Sequence, residues 1–214
     1  CETYAAKHCH RLIGVADGMC DQLVAAGVAP REKFVTIYSG MEVQPFLDAD
    51  RQREAIRGEL GFKPEHVVVG KIARLFHLKG HEYLVRAASS VVQRCPQTRF
   101  LLVGDGILQP EIRRQIQEAG LEPYFHFTGL VPPERIPELL GAMDILAHVS
   151  LREGLARALP QALLAGKPVV SYDVDGAREV VIPDATGALV PPRSIQPLGE
   201  ALIQLVEDPA RRRA

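Results

Sequence analysis

The sequence predicts an α/β protein: a doubly wound, Rossmann-like parallel sheet of strand order 3-2-1-4-5-6, preceded by the tail of a second Rossmann-like unit. Two observations carry that reading. From about residue 67, short β-branched runs alternate six times with longer segments of helical period, the pattern of parallel strands covered by crossover helices. Pro and Gly clusters fall between these units, at Pro132-Pro133, at Gly166 with Pro168, and at Pro191-Pro192, where chain breaks belong.

Residues 1–45 stand outside that count. RLIGVA (11–16), the helical DGMCDQLVAAG and KFVTIYSG (33–40) read as two strands with a helix between them, and SGMEVQPFLDADRQR reads as a linker. The expected division is a tail, 1–45, and a ligand-binding domain, 46–214. Without its own sheet the tail is expected to pack on the domain, swap between chains or stay loose. In the domain, VVVGKIA (67–73) is apolar at nearly every position, as a strand buried on both faces is. The helical segment after it carries Leu84, Val85, Ala88, Val91 and Val92 on one face. Then follow the strand RFLLVG (99–104), the helix PEIRRQIQEAG, the strand FHFTG (125–129), the helix PERIPELLGA and the strand DILAHVS (144–150). A helix to about Ala165, the strand KPVVSY (167–172), a short helix, the strand GALV (187–190) and a last helix through Val206 complete the set.

Composition removes several function classes. With 214 residues, 47% hydrophobic and 24% charged, the chain can bury a core and is not disordered. Twenty-five Lys and Arg against 26 Asp and Glu leave a net charge of −1, so there is no basic field for nucleic acid or a polybasic membrane contact. No apolar run approaches the roughly 20 residues of a bilayer span, and CETYAAKHCH lacks the pattern of a signal peptide. Cys1, Cys9, Cys20 and Cys95 form no C-x-x-C pair, which predicts a reducing, cytoplasmic setting. His8, Cys9 and His10 are neighbours that point in different directions, so no metal site is expected from them. A start at Cys1 and an end, EDPARRRA, without a helix stop read as part of a longer protein.

In a doubly wound sheet, ligands bind beyond the carboxyl ends of the strands where the order reverses, after strands 1 and 4. Those loops hold Arg74, Lys79 and Gly80 on one side and Ser150, Glu153 and Gly154 on the other. A guanidinium and an ammonium five residues apart suit a diphosphate, one binding bidentately and the other as a compact charge. The same pair can stabilise charge that develops on a departing nucleoside diphosphate, which leaves no task for a metal. Gly104-Asp105-Gly106 starts like a dinucleotide fingerprint, but Gln109 takes the place of the third glycine, so Gly106 is assigned to a turn. Asp173-Val174-Asp175 has a D-x-D form and is assigned to turn and cap duty. His77, His81 and His148 lie near the crevice and are read as solvated or satisfied rather than catalytic.

Five segments in order, VVVGKIARLFHLKG, FLLVGDG, FTGLVPPERIPELLGAMDIL, SLREGLARALPQALLAGKPVV and DGAREVV with TGALVPP, resemble the C-terminal half of retaining glycosyltransferases of family 4, the group 1 transferases of GT-B fold. The likeness implies a donor-binding domain preceded by the end of an acceptor domain, with SGMEVQPF as the crossing segment. It implies that Arg74 and Lys79 hold the donor diphosphate, that Glu153 and the amides of Gly154 and Leu155 meet the donor sugar, and that main-chain atoms near Val131 meet the base. It places Gln161 at the ribose and gives Glu179 a structural role. The substrate implied is a nucleotide-diphosphate sugar, a UDP-sugar first, with no cofactor. The acceptor, a sugar, a lipid or another small molecule, would be held mostly by the acceptor half. The whole enzyme would be a cytoplasmic hexosyltransferase, at most peripheral to the membrane, and this piece alone would transfer nothing.

Three departures stand out. Gln161 replaces the second carboxylate of the family's E-x7-E signature; an amide accepts one ribose hydroxyl bond and donates the other, for weaker binding. Ala156 replaces a glycine and Arg157 an apolar residue; Arg157 is either a third cation of the site or an exposed one. A GT-B epimerase and a non-catalytic nucleotide-sugar-binding module are the alternative readings.

Overall fold

The computed structural model describes residues 2–212. Cys1 and the last two positions of the terminal EDPARRRA segment, on which the reading of the chain ends partly rested, lie outside that range.

The chain opens with α1 (Glu2–His8), β1 (Leu12–Gly14), α2 (Asp17–Ala25) and β2 (Phe34–Thr36), and β1 pairs in parallel with β2. Of the fates expected for this tail, packing is the one observed. The Glu179 carboxylate accepts the backbone N–H groups of Asp17 at 3.0 Å and Gly18 at 2.8 Å and the hydroxyl of Tyr38 at 2.8 Å. It therefore sits at the amino end of α2, where a negative charge is favoured.

The expected linker is helical from Gln44. Short α3 (Gln44–Leu47), a 3-10 turn over Ala49–Gln52 and α4 (Arg53–Glu59) dock on α7 (Ile136–Ala142). Phe46, Ala49 and Ile56 are buried there, against Leu139 and Leu140. The segment escapes a periodicity reading because each piece is shorter than two full turns and buries only one or two side chains.

The large sheet consists of β3 (Val67–Ile72), β4 (Thr98–Val103), β5 (Phe125–Gly129), β6 (Ile145–His148), β7 (Val169–Tyr172) and β8 (Gly187–Val190). Its order is β5-β4-β3-β6-β7-β8, with every pairing parallel. This is the 3-2-1-4-5-6 arrangement, with the reversal between β3 and β6. Val67 and Val69 enter one core and Val68 the other, so alternate side chains of the central strand are covered on both faces. One core is closed by α5 (His81–Arg94), α6 (Gln109–Glu118) and α9 (Gln196–Glu207), the other by α4, α7 and α8 (Ala158–Leu164). On α5, Leu84, Val85, Ala88 and Val91 are buried as their spacing predicts, with Val92 at the core margin. The short helix expected after β7 is a 3-10 turn over Asp175–Glu179.

Candidate functional site

The loop after β3 is held from both sides before it presents any charge. The Leu75 N–H donates to the Asp105 carbonyl at 2.9 Å, the Leu75 carbonyl accepts the Leu108 N–H at 3.0 Å, and the Leu151 N–H donates to the Leu78 carbonyl at 2.8 Å. Leu78 and Gly80 both have left-handed φ, 66° and 71°. Gly80 is the residue that permits the fit, because a Cβ there would lie 1.9 Å from the Val149 carbonyl oxygen. Gly104 and Gly106 press in the same way on the Ala73 and Leu75 carbonyls. The glycine pair that resembles a dinucleotide fingerprint thus supports the β3 loop, and Gly106 does more than turn the chain.

Arg74 and Lys79 leave this platform toward the loop that follows β6. Lys79 Nζ is 2.6 Å from Glu153 Oε1, and the two side chains are 22% and 21% exposed. Arg74 is exposed and lies over the Phe76 ring, 5.3 Å from its centroid. The Glu153 N–H donates to Asp175 Oδ2 at 2.5 Å, and the Gly176 N–H donates to the Gly154 carbonyl at 3.2 Å. Asp175 therefore fixes the loop that carries Glu153. Its neighbour Asp173 is ion-paired with Arg178, which holds the Asp173 carboxyl below its usual range. Among the described residues no group of three or more His, Cys, Asp or Glu side chains is placed to hold a metal.

Arg74, Lys79, Val131, Glu153 and Gln161 share one cavity of about 940 Å3, within the roughly 300–1,000 Å3 of ligand clefts. Gly154 and Leu155 are not among its walls. Gly154 packs toward Val15, and Leu155 toward Gly176. Ala156 and Arg157 both line the cavity, so the side chain of Arg157 joins the site's cations at an exposed position of the wall. Gly40, Met41, Glu42, Pro45 and Phe46, which also line it, come from the segment read as a linker.

Two of the three histidines correct the expectation that they are solvated or satisfied. His77 is exposed, but His81 and His148 are 1% and 4% exposed, and both ring nitrogens of His81 and Nε2 of His148 have no hydrogen-bond partner. Burial pushes the His148 pKa down to about 3 and that of His81 lower still. His148 Nε2 lies 3.8 Å from Glu153 Oε1. Lys71, unremarked in the strand VVVGKIA, is 0% exposed, and its Nζ has no partner either. Its signal in the sequence was a single cation inside an otherwise apolar run.

The chain belongs to the group 1 glycosyl transferases, whose family model matches residues 52–214. It is 33% identical over 143 residues to a 2-deoxystreptamine glucosyltransferase of Streptomyces kanamyceticus, covering 67% of this chain and 37% of the relative. A D-inositol 3-phosphate glycosyltransferase of Nocardia farcinica is 31% identical, over 90% of this chain and 44% of the relative. Anabaena HepE, solved in complex with UDP, superposes with a TM-score of 0.85 at 30% identity, over 95% of this chain and 56% of that one. The chain thus spans about half the length of these relatives, or less. A separately solved C-terminal domain of a group 1 transferase from Francisella tularensis shares the fold at TM-score 0.70 and 22% identity, over 81% of this chain and 91% of that one.

Proposed function

We propose that the complete protein transfers a sugar from a nucleotide diphosphate to an acceptor with retention at the anomeric carbon and without a metal. Residues 46–214 are then its donor domain, and residues 1–45 are the tail of its acceptor domain. The observation that carries the reading is the convergence of Arg74, Lys79 and Glu153 on one cavity at the sheet's reversal point. HepE has also been solved with UDP-glucose, at 28% identity and a TM-score of 0.84, which supports a UDP-sugar as the first donor to try.

In this reading Arg74 and Lys79 take the diphosphate, Gln161 the ribose, main-chain atoms near Val131 the base, and Glu153 the hydroxyls of the donor sugar. The amides of Gly154 and Leu155, which follow Glu153 in the same loop, are assigned to the sugar as well, although neither residue lines the cavity in the free protein. The bond between the anomeric carbon and the phosphate oxygen breaks and its electron pair leaves with the diphosphate. The acceptor oxygen bonds to the same carbon, and its proton is released to the departing phosphate or to water. Two fixed cations stabilise the diphosphate charge where it grows, the task a divalent ion performs in other transferases. Changing Arg74 and Lys79 to Ala in the full-length protein is expected to lower kcat about 100-fold or more, with folding intact by thermal unfolding. Unchanged turnover would sink the assignment.

A further inference from the structure

Beneath the Lys79–Glu153 pair lies a set of polar groups that the proposed reaction does not use. Lys71 on β3, His81 at the start of α5, His148 at the end of β6 and Ser150 in the loop after it are all buried. Lys71 Nζ, both nitrogens of His81, His148 Nε2 and Ser150 Oγ lack any hydrogen-bond partner. Leaving one such group unpaired is costly, and an ammonium is the costliest of them. The charged and titratable groups within electrostatic reach of the buried Lys71 ammonium are Glu153 and Lys79 from the loops, Glu82 and His81 from α5, and His148 from β6. Glu153 attracts it and Lys79 repels it.

Resting on the nucleotide-sugar reading of this cavity, we propose that Lys71 is a positioning residue, the reserve counter-ion of Glu153. In the free protein Lys79 bonds the carboxylate directly, at 2.6 Å. A diphosphate that draws Lys79 away leaves Glu153 without that partner and removes the nearest positive charge from Lys71. The Lys71 ammonium then holds the carboxylate charge from below and keeps Glu153 ionised and in place against the sugar. Burial lowers the Lys71 pKa to about 7 in the free protein, so loss of Lys79 and arrival of the diphosphate raise it, and donor binding takes up a proton. His81 and His148 stay neutral near pH 7, because burial keeps both far below that range.

The sign follows from linkage: affinity is constant below about pH 7 and falls as the pH rises above it, by at most about tenfold per unit for one proton. The test is titration calorimetry of the full-length protein with UDP-glucose, with GDP-mannose and ADP-glucose alongside, in two buffers of different ionisation heat. Expected are uptake of a large fraction of a proton just above pH 7 and, in Lys71→Met, retained binding with no uptake and a flat pH profile. Binding without uptake in the wild type, or uptake that survives in Lys71→Met, overturns the proposal. If Lys71→Met does not fold, Lys71→Arg decides, since a guanidinium stays protonated in both states and should abolish the uptake, and uptake that persists there overturns the proposal too. No binding of any of the three sugars by folded protein removes the nucleotide-sugar reading itself, and this inference with it.

Discussion

The two ends of the large sheet treat buried charge in opposite ways. At the amino end Asp144 is surrounded by donors: Arg53 at 2.6 Å, Arg57 at 3.2 Å and the Val68 N–H at 2.7 Å. Arg57 also bonds the carbonyls of Ala142, Lys63 and His66, and Arg53 those of Gly141 and Met143. At the carboxyl end Lys71, His81, His148 and Ser150 are more deeply buried than Asp144 and carry unpaired atoms. A paired network rigidifies, whereas unpaired polar groups destabilise the place where they sit. The first end is a brace that clamps the α3–α4 segment to the domain. The second leaves polar groups unpaired beside the cavity that Arg74, Lys79 and Glu153 share.

The largest effect that separates the two ends is expected at the brace. Asp144→Ala leaves two guanidinium groups without their carboxylate and should cost about 3–5 kcal/mol, lowering Tm by about 10 °C or more while nucleotide affinity in the surviving folded fraction stays the same. An equal loss of affinity would show that the ends are not independent. A smaller effect of opposite sign is expected from Lys71→Met, which should raise Tm. In the folded state the Lys71 pKa is pushed down to about 7, below its value in the unfolded chain, so the folded state binds that proton less tightly. Stability therefore falls as the pH drops from the ordinary lysine range, about 10.4, toward 7, and levels off below. The gain from Lys71→Met should accordingly be greatest at pH 7 and below and fade toward pH 10, in unfolding curves recorded across that interval. A gain independent of pH would mark simple cavity filling.

The fold was legible because the central strands are buried on both faces, so VVVGKIA and DILAHVS read as apolar runs whatever packs on them. The cationic loops were legible because topology alone puts Arg74, Lys79 and Glu153 at strand ends next to the reversal. The α3–α4 segment was not, since Phe46, Ala49 and Ile56 become a pattern only against α7. Nor were Lys71 and His148, whose importance lies in burial without a partner, a property that spacing does not record. Asp175 was assigned to a turn, which it opens, and its part in orienting the Glu153 loop was not legible.

The smallest expected effect concerns Gln161, which lines the same cavity. Gln161→Glu supplies an ionised acceptor for two hydroxyls and should tighten nucleotide-sugar binding about two- to fivefold, by titration calorimetry, without moving Tm. Weaker binding would remove Gln161 from the ribose.

Glu179 stands on the domain, yet its carboxylate is spent on Asp17, Gly18 and Tyr38 of the N-terminal unit, and it pushes the Tyr38 pKa up to about 12. Three donors from one N-terminal stretch converge on a single carboxylate, so this one side chain works as a rivet: it fastens that stretch to the large sheet's side of the molecule at one point.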